Sequence, residues 1–288
     1  MIDLIDNIIM LVAISVFMYF ITELTKIEGK EGFTFSIYPW VTTLPETITT
    51  LLLAVGGYYT AALYNSVFSA VFDLAVAVGL VAIVYGTVEF RLTDLAAIAA
   101  VSAIVFAVTD IDGVIDFNDG LMLYAFLAFT ILYSVMRYGM FRKRPRAVEA
   151  LRVVGGLIGL AILGFLYYMN VEVLVVAVGE KLGGIISALL TSIPDVIVAL
   201  VYGLSESEAQ AELLGAIAHD FIENVPTAAI AAGLFGGAVI DSKPMLTIAL
   251  AAATAATIVF ISSYKRVTRF EGFVLLVLFA ICCYAALV

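Results

Sequence analysis

The sequence predicts an all-α polytopic membrane protein, with about ten transmembrane helices in two inverted five-helix repeats. Three observations predict it. First, 64% of the 288 residues are hydrophobic and 13% are charged, with a mean hydropathy of +1.13. An ordinary soluble domain is about 45–50% apolar and about 25% charged. Second, apolar segments of spanning length follow one another along the whole chain. Third, short acidic motifs recur in its two halves. This composition excludes a soluble enzyme and a disordered chain. Strict apolar–polar alternation is absent, which argues against a transmembrane barrel. A net charge of −10 with few Lys and Arg argues against a nucleic-acid partner.

The apolar segments fall at 4–25, 33–56, 61–88, 93–109, 120–140, 152–178, 183–203, 212–238, 244–262 and 272–287. A spanning helix needs about 20 such residues, so no stretch remains for a soluble domain. Polar breaks at 26–30, 110–113 and 205–208 separate segments. The first three residues carry no basic n-region, so the first segment reads as a retained helix. Cys282 and Cys283 are adjacent, hence poor disulfide partners.

Basic residues choose the orientation. Loops one, three, five and nine hold Lys26, Lys30, Arg91, Arg137, Arg142, Lys143, Arg144, Arg146, Arg152, Lys265, Arg266 and Arg269, whereas the even loops hold only Lys181 and Lys243. The positive-inside rule then puts the odd loops in the cytoplasm and both termini outside a plasma membrane. Residues 142–152 form a basic cytoplasmic linker between a first half, 1–141, and a second half, 153–288.

The halves repeat one another. Thr42-Thr43-Leu44-Pro45-Glu46 matches Thr191-Ser192-Ile193-Pro194-Asp195 at an offset of 149, and Glu23 matches Glu172 at the same offset. Near the end of each half Asp119-Gly120 and Glu271-Gly272 open apolar runs. An odd number of spans per half inserts the second half upside down, as in many secondary transporters, whose sites lie where the repeats meet.

Charged groups inside a bilayer are costly and mark function. In the second segment Thr42 and Glu46 share a helix face, and Pro45 leaves the Val41 carbonyl without its helical donor. In the seventh, Thr191, Ser192 and Asp195 repeat the pattern, and Pro194 frees the Leu190 carbonyl. The third carries Asn65, Ser69 and Asp73 at four-residue spacing; the eighth carries Asp220 and Asn224 likewise, with His219 and Glu223 beside them. Glu46, Asp73, Asp195 and Asp220 make four carboxylates in the membrane, with Glu223 a candidate fifth. No Lys or Arg lies in their segments. They need protons or cations, and an all-oxygen set suits Ca²⁺, Mg²⁺ or Na⁺.

The two motifs, 42–73 and 191–224, pair a Thr-Ser/Thr-x-Pro-acid signature with a later Ser/Asp-x-x-x-Asp/Asn. In inverted orientation they resemble the two repeats of the cation/calcium antiporter superfamily, the group of the sodium/calcium exchangers. The resemblance implies ten helices, a central ion site and alternating access by sliding of the first and sixth helices. It places Glu46 and Asp195 at the two key acids. Thr42, Thr43, Thr191 and Ser192 take hydroxyl and carbonyl positions, and Ser69, Asp73, Asp220 and Asn224 take the ligand positions of the following helices. It implies exchange of a divalent cation, foremost Ca²⁺, for Na⁺, with no enzymatic activity, resident cofactor or obligate protein partner. The chain departs from the family at Val41 and Leu190, where Gly is usual, and at Asp220, where Ser is usual. Crowded carboxylates raise one another's proton affinity, so coupling to H⁺ stays open, as do Mg²⁺ and Mn²⁺ as cargo.

Three features keep blander readings beside functional ones. His219, the sole histidine, reads as a helix-contact residue, a metal ligand or a proton relay. Glu23 and Glu172 read as interfacial acids or vestibule residues. Asp110, Asp112, Asp116 and Asp119 read as a solvated loop or a weak cation recruiter. Two rival classes fare worse. An intramembrane aspartyl protease lacks its Gly-x-Gly-Asp context, and a channel needs no inverted pair of Pro-acid motifs.

Overall fold

Each long apolar run closes its backbone hydrogen bonds within itself, the only economical solution in hydrocarbon, and becomes a helix. A computed structural model describes residues 4–25, 38–90, 93–109, 113–138, 147–204, 207–235, 240–241 and 266–287. The helices are α1 (Leu4–Thr25), α2 (Tyr38–Val55), α3 (Tyr59–Tyr85), α4 (Thr93–Thr109), α5 (Phe117–Tyr138), α6 (Ala147–Val178), α7 (Glu180–Tyr202), α8 (207–234) and α9 (Arg269–Leu287). They follow nine of the ten expected segments within a few residues; the segment 244–262 lies outside the described residues. Six of them are long and apolar enough to cross a membrane.

One boundary differs. Residues 147–152 of the expected linker already belong to α6. Ala147, Glu149, Ala150 and Leu151 are good helix formers, with an acid in the first turn. At 32 residues, α6 is about 48 Å long, well beyond the roughly 30 Å hydrocarbon layer.

Exposed apolar side chains coat the outside: Ile5, Ile9, Phe17 and Phe20 on α1, Ile158, Ile162 and Phe165 on α6, Phe270, Phe273 and Val277 on α9. So large an apolar surface is tenable only against lipid. Inside, α2, α3, α7 and α8 form the centre. α3 packs on α7, and α2 on the first part of α8, while α1 and α6 pack on each other and on this centre.

Two small strand pairs reveal the inverted repeat. β1 (Thr87–Glu89), after α3, pairs antiparallel with β4 (Arg266–Thr268), before α9. β2 (Val114–Ile115), before α5, pairs antiparallel with β3 (Ile240–Asp241), after α8. Each pair joins the end of a third helix in one half to the start of a last helix in the other. Between β2 and β3 the chain crosses four times, α5 to α8, so both strands meet on one side, as an inverted pair of halves requires.

The recurring acid-Gly pairs now have a cause. Asp116 and Asp119 form a capping box at α5: Asp116 Oδ1 accepts from the Asp119 amide at 3.0 Å, and Asp119 Oδ2 accepts from the Asp116 amide at 2.9 Å. Thr268 and Glu271 do the same at α9, with 3.4 Å and 2.7 Å. The glycine one residue on gives close packing. A Cβ on Gly272 would stand 2.7 Å from the Gly79 oxygen, and one on Gly120 2.8 Å from Ile230 Cγ1. In the acidic loop, Asp116 and Asp119 thus serve a helix start; Asp110 and Asp112 lie outside the described residues.

The Asp119 amide, then the Asn118 amide, hold the Asp116 carboxyl below the usual carboxylate range. A depressed folded-state value means the cap is fully stabilising above the unfolded value, near about 3.9, and lost as pH falls through the folded one. Asp116→Asn is expected to lower the melting temperature at neutral pH. The gap to the parent should close on acidification below about pH 4, followed by thermal unfolding in detergent.

Candidate ion-binding site

The central helices carry two kinds of irregularity, and the acids sit on both. In α3 the turn Asp73–Ala77 is a π-turn, and in α8 so is Asp220–Asn224. Each first residue is one of the expected acids: the Asp73 carbonyl accepts from the Val78 amide, and the Asp220 carbonyl from Val225. A π-turn widens the helix and is common at functional positions. The proline-bearing helices differ from each other. α2 runs unbroken through Pro45, which cannot donate to the Val41 carbonyl. α7 breaks at Ser192 (φ −81°, ψ 1°) and restarts with Pro194 in its first turn. The Ser192 amide turns to the Ala188 and Leu190 carbonyls, so the Leu190 oxygen is partly engaged and keeps one lone pair.

The side chains converge where these irregularities meet. Glu46 (4% exposed), Asp73 (0%), Asp195 (7%) and Asp220 (0%) are all buried. Asp73 has Asp195, Asp220 and Glu46 as charged neighbours, with Ser192 the hydroxyl nearest to its carboxyl group in influence. Neither Asp73 oxygen, nor Asp220 Oδ2, nor the Ser192 hydroxyl has a hydrogen-bond partner among the described residues. Buried oxygens in that state are expensive, unless a cation or proton completes them.

Hydroxyls and amides tie the helices around this centre. Asn224 Nδ2 donates to Asp220 Oδ1 at 2.7 Å, and its Oδ1 accepts from the Thr47 hydroxyl at 2.7 Å. The Ser69 and Thr191 hydroxyls lie 3.4 Å apart, and Thr191 neighbours the Glu46 carboxyl group. Asn65 donates to Thr50 at 3.2 Å. A narrow cleft opens onto the centre. Met18 and Thr22 of α1, Thr42, Pro45 and Glu46 of α2, Thr191, Pro194 and Asp195 of α7, and Glu212 of α8 line it.

Most residues named from the sequence therefore meet: Glu46, Asp73, Asp195, Asp220, Thr42, Thr191, Ser192, Ser69 and Asn224. Thr43 is buried on α2, and its carbonyl accepts from Thr47 at 3.0 Å. Val41 contributes helical backbone. Glu223 faces His219, with Nδ1 and Oε2 at 2.6 Å, and its Oε1 lies 3.4 Å from Thr47. The pair is slightly exposed, at 10% and 13% of its side chains, and Glu223 is a charged neighbour of Glu46 and Asp220. Glu23 accepts from the Tyr202 hydroxyl at 3.2 Å, an interhelical contact at an exposed end. Among the described residues, no three His, Cys, Asp or Glu side chains form a ready metal cage. A cation here would draw on hydroxyls and carbonyls as well.

The profile of the sodium/calcium exchanger protein family matches residues 5–136 and 149–288. The chain belongs to this family. Its two matched stretches flank 137–148, where the basic run lies. No curated protein matches the sequence closely. Among solved structures, the sodium-calcium exchanger NCX_Mj soaked with Na⁺ and Sr²⁺ superposes with a TM-score of 0.72 at 15% identity, over 96% of this chain and 98% of that one. A crystal structure of the H⁺/Ca²⁺ exchanger CAX superposes at 0.73 and 16% identity, over 98% and 83%. At such identities the likeness shows a shared fold. This exchanger-family chain is thus an all-α, multi-pass membrane protein of inverted-repeat construction.

Sequence reasoning missed two residues. Thr47 carries the link from α2 to Asn224, and Glu212 is a further acid in the cleft. Thr47 lies one position past Glu46 and had no motif to mark it. Glu212 is the first residue of the eighth apolar segment, 212–238, and no motif singled it out.

Proposed function

We propose that this protein is a secondary active antiporter that exchanges Ca²⁺ for Na⁺ across the plasma membrane. The observation that carries the reading is the group of four buried carboxylates, Glu46, Asp73, Asp195 and Asp220, at the meeting of the repeats. Family membership and the two exchanger folds support it. In their segments no Lys or Arg balances the four charges, so mobile cations must. Ca²⁺ takes six to eight oxygens in flexible geometry. Glu46 and Asp195 are its primary ligands, Asp73 and Asp220 secondary ones. Thr42, Thr43, Ser69, Thr191, Ser192 and Asn224, with the Val41 and Leu190 carbonyls, supply the neutral oxygens, and Glu223 is a further acidic ligand.

Exchange follows from charge balance. Bare carboxylates cannot be carried past hydrocarbon, so the helices move only when the cluster is neutralised. One set of cations must replace another before the site changes sides. α1 and α6, which pack on each other, are the sliding unit, with halves 1–141 and 153–288 as the repeats. The orientation with odd loops and the 142–152 basic segment in the cytoplasm fits the Lys and Arg bias. The protein acts without enzymatic chemistry or an obligate partner.

A second reading is proton-coupled exchange. It is favoured by the surplus of buried acids, which one divalent ion cannot neutralise. Reconstituted protein is expected to take up radiolabelled Ca²⁺ against an outward Na⁺ gradient. Uptake driven only by a pH gradient would replace Na⁺ by H⁺ as the coupling ion. Ca²⁺ current that needs no counter-ion would overturn antiport in favour of a channel.

A further inference from the structure

Glu212 is 1% exposed in the first part of α8, a place where an apolar residue would be cheaper. It lines the cleft with Glu46 and Asp195, and it is a charged neighbour of Asp195. Its level is fixed by chain direction. Glu212 precedes Asp220 by eight residues, about 12 Å along a helix, toward the α7–α8 connection. Thr42 precedes Glu46 by four residues toward the α1–α2 connection, and Thr22 lies three residues from the end of α1. Both connections lie at the same end of the bundle in an inverted repeat. Thr22, Thr42 and Glu212 thus stand together on one side of Glu46 and Asp195, within one cleft that four helices line.

The inner end of this file of acids calls for a ligand. Asp73 is fully buried with neither oxygen hydrogen-bonded among the described residues, and Asp195 is a charged neighbour of both Asp73 and Glu212. Carboxylates therefore continue from the centre at Asp73, through Asp195, to Glu212 in the cleft lining. A hard cation moving along it passes from oxygen to oxygen and does not shed its water all at once.

We propose that Glu212 is a cation subsite on the access route, the station that loads and unloads the central acids from the side of the α1–α2 and α7–α8 connections. The occupant is the transported hard cation, with Thr22 and Thr42 supplying hydroxyl oxygens. The proposal rests on the antiport reading above. Its consequence is one-sided. The carboxylate raises local cation concentration only when the cleft faces that end. With the site open to the other end, the ion reaches Glu46 and Asp195 without passing Glu212.

The test uses the full chain in proteoliposomes of known orientation, with Ca²⁺ varied on one side at a time. Glu212→Gln is expected to raise the half-saturating Ca²⁺ roughly tenfold on the connection side, as for losing a charge near the ion at intermediate dielectric. It should leave the half-saturating Ca²⁺ on the opposite side within about twofold. Equal changes from both sides, or none, would overturn the proposal. If the parent protein itself transports no divalent cation, the antiport reading fails, and that is seen before the variant is assayed. Should Glu212→Gln not fold, Thr22→Cys in a Cys282→Ser, Cys283→Ser background gives a second readout. Ca²⁺ should slow its labelling by a membrane-impermeant thiol reagent added on the connection side. Labelling indifferent to Ca²⁺ would sink the subsite.

Discussion

The double substitution Glu46→Gln with Asp195→Asn is expected to abolish divalent-cation flux while leaving the fold intact. Both side chains line the cleft at the meeting of the repeats, one beside Pro45 and one beside Pro194. Each amide keeps the shape of its acid and removes its charge. Losing a charged partner from a buried pair costs about 3–5 kcal/mol, and a divalent ion here loses two. Its binding then falls beyond any concentration an uptake assay reaches. Stability moves the other way: Glu46 and Asp195 are charged neighbours of each other and, respectively, of Asp220 and Glu212. Neutralising two such acids relieves repulsion in the absence of cation. In detergent without divalent ions, the variant should melt at or above the parent temperature. Added Ca²⁺ should raise the melting point of the parent only, because it stabilises only a folded state that binds it. Retained uptake, or retained Ca²⁺ stabilisation, would remove these two residues from the site.

The second large effect is structural. Gly184 lies where α7 crosses α3, one of the contacts that join the two repeats. A Cβ there would stand 2.7 Å from the Ala61 carbonyl oxygen and 2.8 Å from Tyr64 Cβ. The obstacle is backbone and the root of a side chain, so it cannot swing away. Forcing in one methyl group costs about 1–3 kcal/mol; Gly184→Leu is expected to separate α7 from α3 and prevent folding. Between helices in lipid, where apolar burial gives no net drive, close backbone approach is the main source of affinity. Gly155→Ala is the matched control, because a Cβ at Gly155 meets nothing within 4 Å. It should leave stability unchanged or slightly raised. The readout is the yield of monodisperse protein after extraction, with its melting temperature. A well-folded Gly184→Leu would show that the α3–α7 approach is not a tight one.

The helices were legible because hydrocarbon leaves the backbone little choice. The start of α6 at Ala147 was not, since a helix extending into water carries charges like those of a loop. The acids of the site were legible because a carboxylate in an apolar run is conspicuous. Glu212 escaped because it stands at the very edge of its apolar segment, and only the fold shows that it is buried. The pairs Asp119-Gly120 and Glu271-Gly272 were visible as a repeat without a reason. Their reason, a capping box followed by a close helix contact, needed Asp116, Thr268, Gly79 and Ile230 placed in space.

The sequence by itself determined that this is a membrane protein of inverted halves with four costly acids in matched positions. Those properties follow from solvent and covalent chemistry: apolar run length, proline's missing donor, and the expense of charge in lipid. Tertiary structure decided that Asp73 and Asp220 sit on π-turns. It decided that α7 breaks at Ser192 while α2 passes unbroken through Pro45. It also turned Glu223 to His219 and brought Glu212 into the cleft. Such outcomes depend on which surfaces meet, and packing between distant helices is fixed by all of their side chains together, not by any local run of residues.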